Sequence, residues 1–296
     1  MSGTVALLTD STWSMPPALL PDPHFAMVPL HVSSGAVSLA DTPGNEQRIR
    51  EVLSSARHAT TSQPSTGEIR SALEALAEGG ATHVVAIHLS AALSGTCDAV
   101  RAVGEAFRAS TGIPVDVVDT RSIGAATGFA VLAARRALDA GGGPAEAVGA
   151  AEGTAHAANA WVTVQDLRYL QRGGRLSASH ALIGTALGVR PILRIEDGKI
   201  VPVESARGAA RARRRLVELV VEGASTQAKG APGGELDIAV HHTGDDLAAE
   251  VLTDELRAAA ANAGLKVRTF LRGRISPVLA VHGGPGALAV VTLPAR

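Results

Sequence analysis

"THVVAIHLSAALSGTCDAVRAVGEAFRASTGIPVDVVDT", residues 82–120, reads as a strand, a helix and a second strand. Residues 82–90 are a β-rich run. Residues 94–107 space their apolar side chains as a helix does, and "VDVVDT" (115–120) is a short buried-strand signal. The same texture extends in both directions. "VALLTD" (5–10) is an apolar run ending in the turn residues Asp10-Ser11-Thr12. "FAMVPLHV" (25–32) is a second strand candidate whose Pro29 argues for an edge or a bulge. Residues 44–57 read as a charged helix, "EIRSALEALAEGG" (68–80) as a helix closed by glycines, and "GAATGFAVLAARRALDAGG" (124–142) as another. Strand and helix in repeated alternation predict an α/β fold with a mostly parallel sheet flanked by helices.

From Trp161 the pattern changes. "WVTVQ" reads as a strand and "DLRYLQRGGRLSA" as a short helix broken at Gly173-Gly174. "VRPILRIEDGKIVPVES" places Asp197-Gly198 between two β runs, a strong hairpin signal. A helix over 208–222, a strand "LDIAVHH", a helix over 245–263, "LKVRTFLR" and a final strand "ALAVVTL" follow. Hairpins mixed with helices predict a second α/β domain with a mixed sheet. The expected division is residues 1–158 and 159–296, which suits a chain of 296 residues.

Composition narrows the function. Aromatic residues are 2% of the chain and net charge is −1, so stacking platforms and a global field for nucleic acid are both missing. One cysteine, Cys97, rules out a disulfide framework and a cysteine-paired zinc site. The start has no basic and apolar leader pattern, and no apolar run is long enough to span a bilayer, so a cytoplasmic protein without an integral membrane segment is expected. Phosphate-loop, dinucleotide-loop, nucleophile-elbow and zinc-protease motifs are absent. His241 and His242 are adjacent on a strand and alternate across it, which disfavours a shared metal.

What the sequence does offer is hydroxyl side chains at strand ends. "TTSQPSTGE" (60–68) sets five hydroxyls around a proline ahead of a helix; Ser65 and Glu68 have capping-box spacing. Ser94-Gly95-Thr96 lies between a strand and a helix. In open parallel sheets ligands bind at the strand C-termini, where helix N-termini add free N–H groups and partial positive charge. The stretch at 60–68 is therefore either a turn with a helix cap or a built anion site. Hydroxyls without a nearby acid or base suit a carboxylate or phosphate better than covalent chemistry.

"TDST" (9–12), "TSQPS" (61–65), "LSGT" (93–96), "VVDT" (117–120), "YLQRGGRLS" (169–177), "VRPIL" (189–193) and "HGGPGALAV" (282–290) stand in the order found in the DegV family of fatty-acid-binding proteins, which the whole chain resembles. The resemblance implies two α/β domains with a long-chain fatty acid between them, its carboxylate at the interface and its acyl chain in an apolar tunnel. It implies no cofactor and no catalysis by this chain, and a fatty acid kinase catalytic subunit as the partner to which the acid is presented. It places Thr61 and Ser94 on the carboxylate, supported by Ser62 and the backbone N–H groups of Gly95 and Thr96, with Arg207 and His282 near the same head group. Burying about fifteen methylene and methyl units at ~0.8 kcal/mol each favours binding by about 12 kcal/mol before entropy costs. The carboxylate must be hydrogen-bonded or paired, or its desolvation cancels much of that gain.

The basic run "RGAARARRR" (207–215) places Arg207, Arg211 and Arg214 or Arg215 on one helix face, either a solvated face or a docking face for an acidic partner. Arg172 and Arg175 are candidates for the same docking surface. The rival reading is a serine hydrolase with Ser94 as nucleophile and His282 as base, although no acid partner is evident.

Overall fold

The computed structural model describes residues 3–16, 23–55, 58–176 and 188–295. Ser177, the last residue of "YLQRGGRLS", lies outside them. The chain divides into two compact units, Met1–His156 with Ser276–Val278, and Ala157–Ile275 with Leu279–Arg296.

The first unit runs β1 (Thr4–Asp10), β2 (Phe25–Val28), β3 (His31–Ser34), β4 (Val37–Ala40), α1 (Glu46–Ser55), β5 (Thr60–Ser62), α2 (Thr66–Glu78), β6 (Ala81–His88), α3 (Thr96–Thr111), β7 (Val115–Asp119), α4 (Ala125–Asp139) and α5 (Pro144–Ala157). A parallel sheet has the order β2-β1-β6-β7. Its central strands are covered on both faces, which is why they read as continuous apolar runs. Ala6, Leu8, Val84 and Ala86 pack with Ile69 and Leu73 of α2 and Phe107 of α3. The alternate residues Leu7, Val85 and Ile87 are equally buried and point the other way; α4 packs on β1 and β6.

The single strand expected over 25–32 is two. β2 joins the parallel sheet, while β3 joins a small antiparallel sheet of order β4-β3-β5. Pro29, which has no N–H to give to a ladder, lies in the break between them.

Two glycines inside helices test this packing. A Cβ on Gly128 of α4 would lie 2.5 Å from the Trp13 carbonyl oxygen and 2.3 Å from Cγ of Met15. Gly149 of α5 has open space at that position. Alanine normally stabilises a helix interior by about 1 kcal/mol over glycine. Gly149→Ala should follow that rule in urea unfolding. Gly128→Ala should instead destabilise by about 2 kcal/mol, because backbone must move to admit the methyl group.

From Asn159 onward the order is β8 (Asn159–Thr163), α6 (Arg168–Arg172), β9 (Val189–Glu196), β10 (Lys199–Arg207), α7 (Ala209–Gly230), β11 (Glu235–His242), α8 (Asp246–Asn262), β12 (Lys266–Arg274), α9 (Pro277–Gly283) and β13 (Leu288–Pro294). These strands form one mixed sheet of order β10-β9-β8-β13-β11-β12, in which β11 and β12 are parallel and the other pairs antiparallel. Asp197 (φ 49°) and Gly198 (φ 79°) turn the β9–β10 hairpin with two positive φ angles, as a tight two-residue turn requires. Leu216 and Val220 of α7 and Leu252 and Leu256 of α8 pack on Trp161, Ile192, Ile238 and Val290. α7 runs to Gly230, beyond the expected end at 222, and α9 was not expected from its glycine-rich surroundings. No helix among the described residues is long and apolar enough to cross a membrane.

Candidate functional site

Two helices of the first unit begin at the C-terminal edge of its segments, and their starts differ. At α2 the capping box is complete. The Ser65 hydroxyl accepts from the Glu68 N–H at 3.2 Å, and Glu68 Oε2 accepts from the Ser65 N–H at 2.8 Å and the Ser65 hydroxyl at 2.6 Å. The other Glu68 oxygen lies 3.0 Å from His31 Nε2 on β3. Burial pushes the Glu68 carboxyl up, but these contacts outweigh it and hold it below its usual range. This helix start is capped by the protein's own side chains, Ser65 and Glu68.

At α3 the N-cap is Gly95, and no side chain caps the helix. A helix start leaves N–H groups without partners inside the helix, and its partial positive charge favours an anion. Thr96 is fully buried there, and its hydroxyl lies 2.9 Å from that of half-buried Ser94. The hydroxyl run at 60–68 thus divides: Ser65 is a cap, and what precedes it meets the open start of α3. Gln63 folds over Gly95, so that a Cβ on Gly95 would lie 2.3 Å from Gln63 Oε1. That contact brings the segments 61–65 and 94–96 together. Thr61 is half-buried and pairs in register with Val32; β5 turns Ser62 to the opposite face, where it is exposed opposite His31.

Beneath this edge sits a buried group that starts from Asp10, which the sequence marked as a turn residue. Asp10 and His88 are fully buried, with His88 Nδ1 3.0 Å from Asp10 Oδ2. Asp10 also accepts from the Thr12 N–H at 3.0 Å, the Thr12 hydroxyl at 2.6 Å and the Leu89 N–H at 3.0 Å. Burial raises the Asp10 carboxyl, and the contacts from His88, Thr12 and Leu89 together bring it below its usual value.

His282 lies in the last turn of α9. Its ring fills the space above Gly173, where a Cβ would come within 2.3 Å of Nδ1. Two further contacts join the same segments, since a Cβ on Gly284 would meet the Tyr169 ring at 2.6 Å and one on Gly286 would meet Gln165 Nε2 at 2.3 Å. One glycine of each pair in "QRGGR" and "HGGPG", Gly173 and Gly284, is therefore explained by close approach to the other segment's side chains, as is Gly286; Gly174 has open space but a positive φ of 70°, and Gly283 meets only Ala287 of its own segment at 3.4 Å. Burial, and then the charge of Arg175, lowers the His282 imidazole to about 4. At neutral pH it is therefore uncharged. Arg175 turns back to donate to the Gly173 carbonyl, whereas Arg172 is exposed and lies over the Tyr169 ring at 5.4 Å.

The expected arginine face on one helix is corrected. Arg207 ends β10 and precedes Gly208, which caps α7, so it is not on the helix. Arg213 pairs with Glu255, and Arg215 with Glu204 and Glu218; Arg211 and Arg214 are exposed. Cys97 is buried and its thiol pushed up to about 12, first by burial, then by the charge of Asp119. His241 is lowered to about 4 by burial and then by His242. Among the described residues no cluster of three or more His, Cys, Asp or Glu could hold a metal ion.

The fold and this edge define an α/β protein whose first unit sets hydroxyls beside a helix start without a side-chain cap. Comparison with known proteins gives the family. The model of the DegV family, described as an uncharacterised protein family, matches residues 4–295. A DegV domain-containing protein of Streptomyces coelicolor is 41% identical over 293 residues, covering 98% of this chain and 99% of the relative. The crystal structure of DegV, a fatty acid binding protein from Bacillus subtilis, is 30% identical, with a TM-score of 0.81 over 99% of this chain and 100% of that one. A DegV family protein from Thermus thermophilus, described for its fatty acid binding, is 27% identical with a TM-score of 0.81, over 98% and 99% of the two chains. The chain belongs to the DegV family.

Proposed function

We propose that this protein is a non-covalent carrier of a long-chain fatty acid in the cytoplasm. The carboxylate is received at the start of α3 by the Ser94 hydroxyl and the backbone N–H groups of Gly95 and Thr96, with Thr61 from β5; the Ser62 side chain, on the opposite face of that strand, stays outside this set. The acyl chain occupies an apolar tunnel. Arg207 and His282 take the remaining head-group roles that the family resemblance implies, His282 as a neutral hydrogen-bonding group. The single observation that carries this reading is the contrast between the two helix starts. One is capped by Ser65 and Glu68, and the other has no side-chain cap and lies beside two hydroxyls. The fatty acid binding described for the Bacillus and Thermus relatives supports the choice of anion.

The hydrolase reading is not favoured. The partner of the Ser94 hydroxyl is another hydroxyl, that of Thr96, and not a base. A carrier that holds its ligand by the head group fits the further role of presenting that carboxylate to a fatty acid kinase, with Arg172 and Arg175 as the candidate docking residues.

Native mass spectrometry of the freshly purified protein, followed by organic extraction, tests the reading. A bound long-chain acid is expected, and Ser94→Ala should weaken palmitate binding about tenfold by removing one hydrogen bond to a charged group. Protein that emerges empty and refuses every long-chain acid overturns it. Loaded protein that yields no acyl phosphate with the kinase and ATP overturns the kinase role alone.

A further inference from the structure

The segment that presents Ser94 has no regular structure, yet its backbone N–H groups are all committed. The Leu89 N–H donates to Asp10 at 3.0 Å. The Ser90 N–H donates to the Ser122 carbonyl at 2.8 Å, and the Ala91 N–H to Asp119 Oδ1 at 3.1 Å. The Ala92 N–H reaches the Ser90 hydroxyl at 3.2 Å, and the Leu93 and Ser94 N–H groups share the Ser90 carbonyl at 3.0 and 3.1 Å. On the other side, the His88 carbonyl accepts from Thr120 Oγ1 at 2.8 Å. Every N–H from Leu89 to Ser94 thus has an acceptor. The outside anchors come from both neighbouring strands: Asp10 ends β1, and Asp119 ends β7.

Asp119 does more than hold Ala91. The same Oδ1 accepts from the Arg121 N–H at 2.8 Å. Arg121 has φ 48°, a left-handed conformation that a non-glycine side chain rarely adopts. One carboxylate oxygen therefore fixes both the exit turn of β7 and the loop beside it, and that exit turn supplies the Ser122 carbonyl to Ser90.

We propose that Asp119 is a positioning residue for carboxylate recognition. It sets the Ala91–Ser94 loop so that the Ser94 hydroxyl stands at the open start of α3 before any ligand arrives, with Asp10 as the buried anchor on the other side. This rests on the reading of Ser94 as a carboxylate ligand. A preset donor loses no ordering entropy on binding, and one that must be ordered does.

The test compares palmitic acid with hexadecanol, which has the same tail and no carboxylate. In Asp119→Ala, the preference for the acid should fall about tenfold while hexadecanol affinity stays the same, as loss of a charged-group hydrogen bond predicts. Asp119→Asn keeps the acceptor oxygen and should restore the preference. An unchanged preference, or equal weakening of acid and alcohol, overturns the proposal. If Asp119→Ala does not fold, Asp119→Glu, which keeps the charge but displaces it, must lower the preference; a folded Glu variant with wild-type preference is equally fatal. A wild type indifferent to the carboxylate would overturn the reading of Ser94 itself, and this inference with it. That failure is distinguishable because it precedes any substitution.

Discussion

Replacing Asp10 with alanine is expected to cost about 3–5 kcal/mol of stability, the range for removing one partner of a buried charge network. The side chain is fully buried and joins three elements: the turn after β1 through Thr12, the end of β6 through His88, and the loop after it through Leu89. Alanine leaves the Thr12 and Leu89 N–H groups and His88 Nδ1 buried without acceptors, and each is costly there. Urea unfolding measures the effect, and a loss under 1 kcal/mol would show that the network contributes little. The pH dependence has a definite sign. The carboxyl of Asp10 lies below its unfolded value of 3.8. Its contribution is therefore present above that value and is lost as pH falls through the folded value.

Asp41 should behave in the opposite sense. It follows β4, is 6% exposed, and accepts from the Val278 N–H at a long 3.5 Å. Burial dominates here. The bonds from Val278 and Ser11 counter it weakly, and the charges of Glu46 and Asp10 add to it, so the carboxyl is pushed from 3.8 up to about 7. The folded state thus holds a proton between about pH 4 and 7 that the unfolded chain has released. The stability contributed is fully present below 3.8 and is lost as pH rises to about 7. The whole window corresponds to about 4 kcal/mol. Asp41→Asn keeps an acceptor for Val278 and has no proton to lose. It should match wild type near pH 4 and exceed it by roughly 2–4 kcal/mol at pH 8. Equal pH profiles for the two proteins in urea unfolding would show that Asp41 stays ionised in the fold. The contrast with Asp10 is one of partners: both carboxyls are buried, but Asp10 has close donors on both oxygens, whereas the Val278 donor to Asp41 is at a long 3.5 Å.

The strand–helix–strand order of 82–120 and the Asp197-Gly198 hairpin were legible in the sequence because each is set by local rules. Apolar spacing chooses helix or strand, and a two-residue turn needs positive φ. The capping box was legible for the same reason, since Ser65 and Glu68 are three residues apart. The split at Pro29, the strand at Thr60–Ser62 and the helix at Pro277–Gly283 were not. Each is a short element fixed by its neighbours in space, with too few residues for a periodic pattern.

The candidate site divides along the same line. By itself the sequence determined which residue types stand at the sheet edge: the hydroxyls of Thr61, Ser94 and Thr96, and a glycine at 95. Only the tertiary structure decided that Ser65 and Glu68 cap one helix start while no side chain caps the other, that Gln63 lies over Gly95, and that Asp10 and Asp119 hold the loop between them. Asp119 and Ala91 are 28 residues apart, and Asp10 and Leu89 are 79 apart. Local preference does not reach across such separations; a hydrogen bond forms there only when the packing of the parallel sheet brings its strand ends side by side.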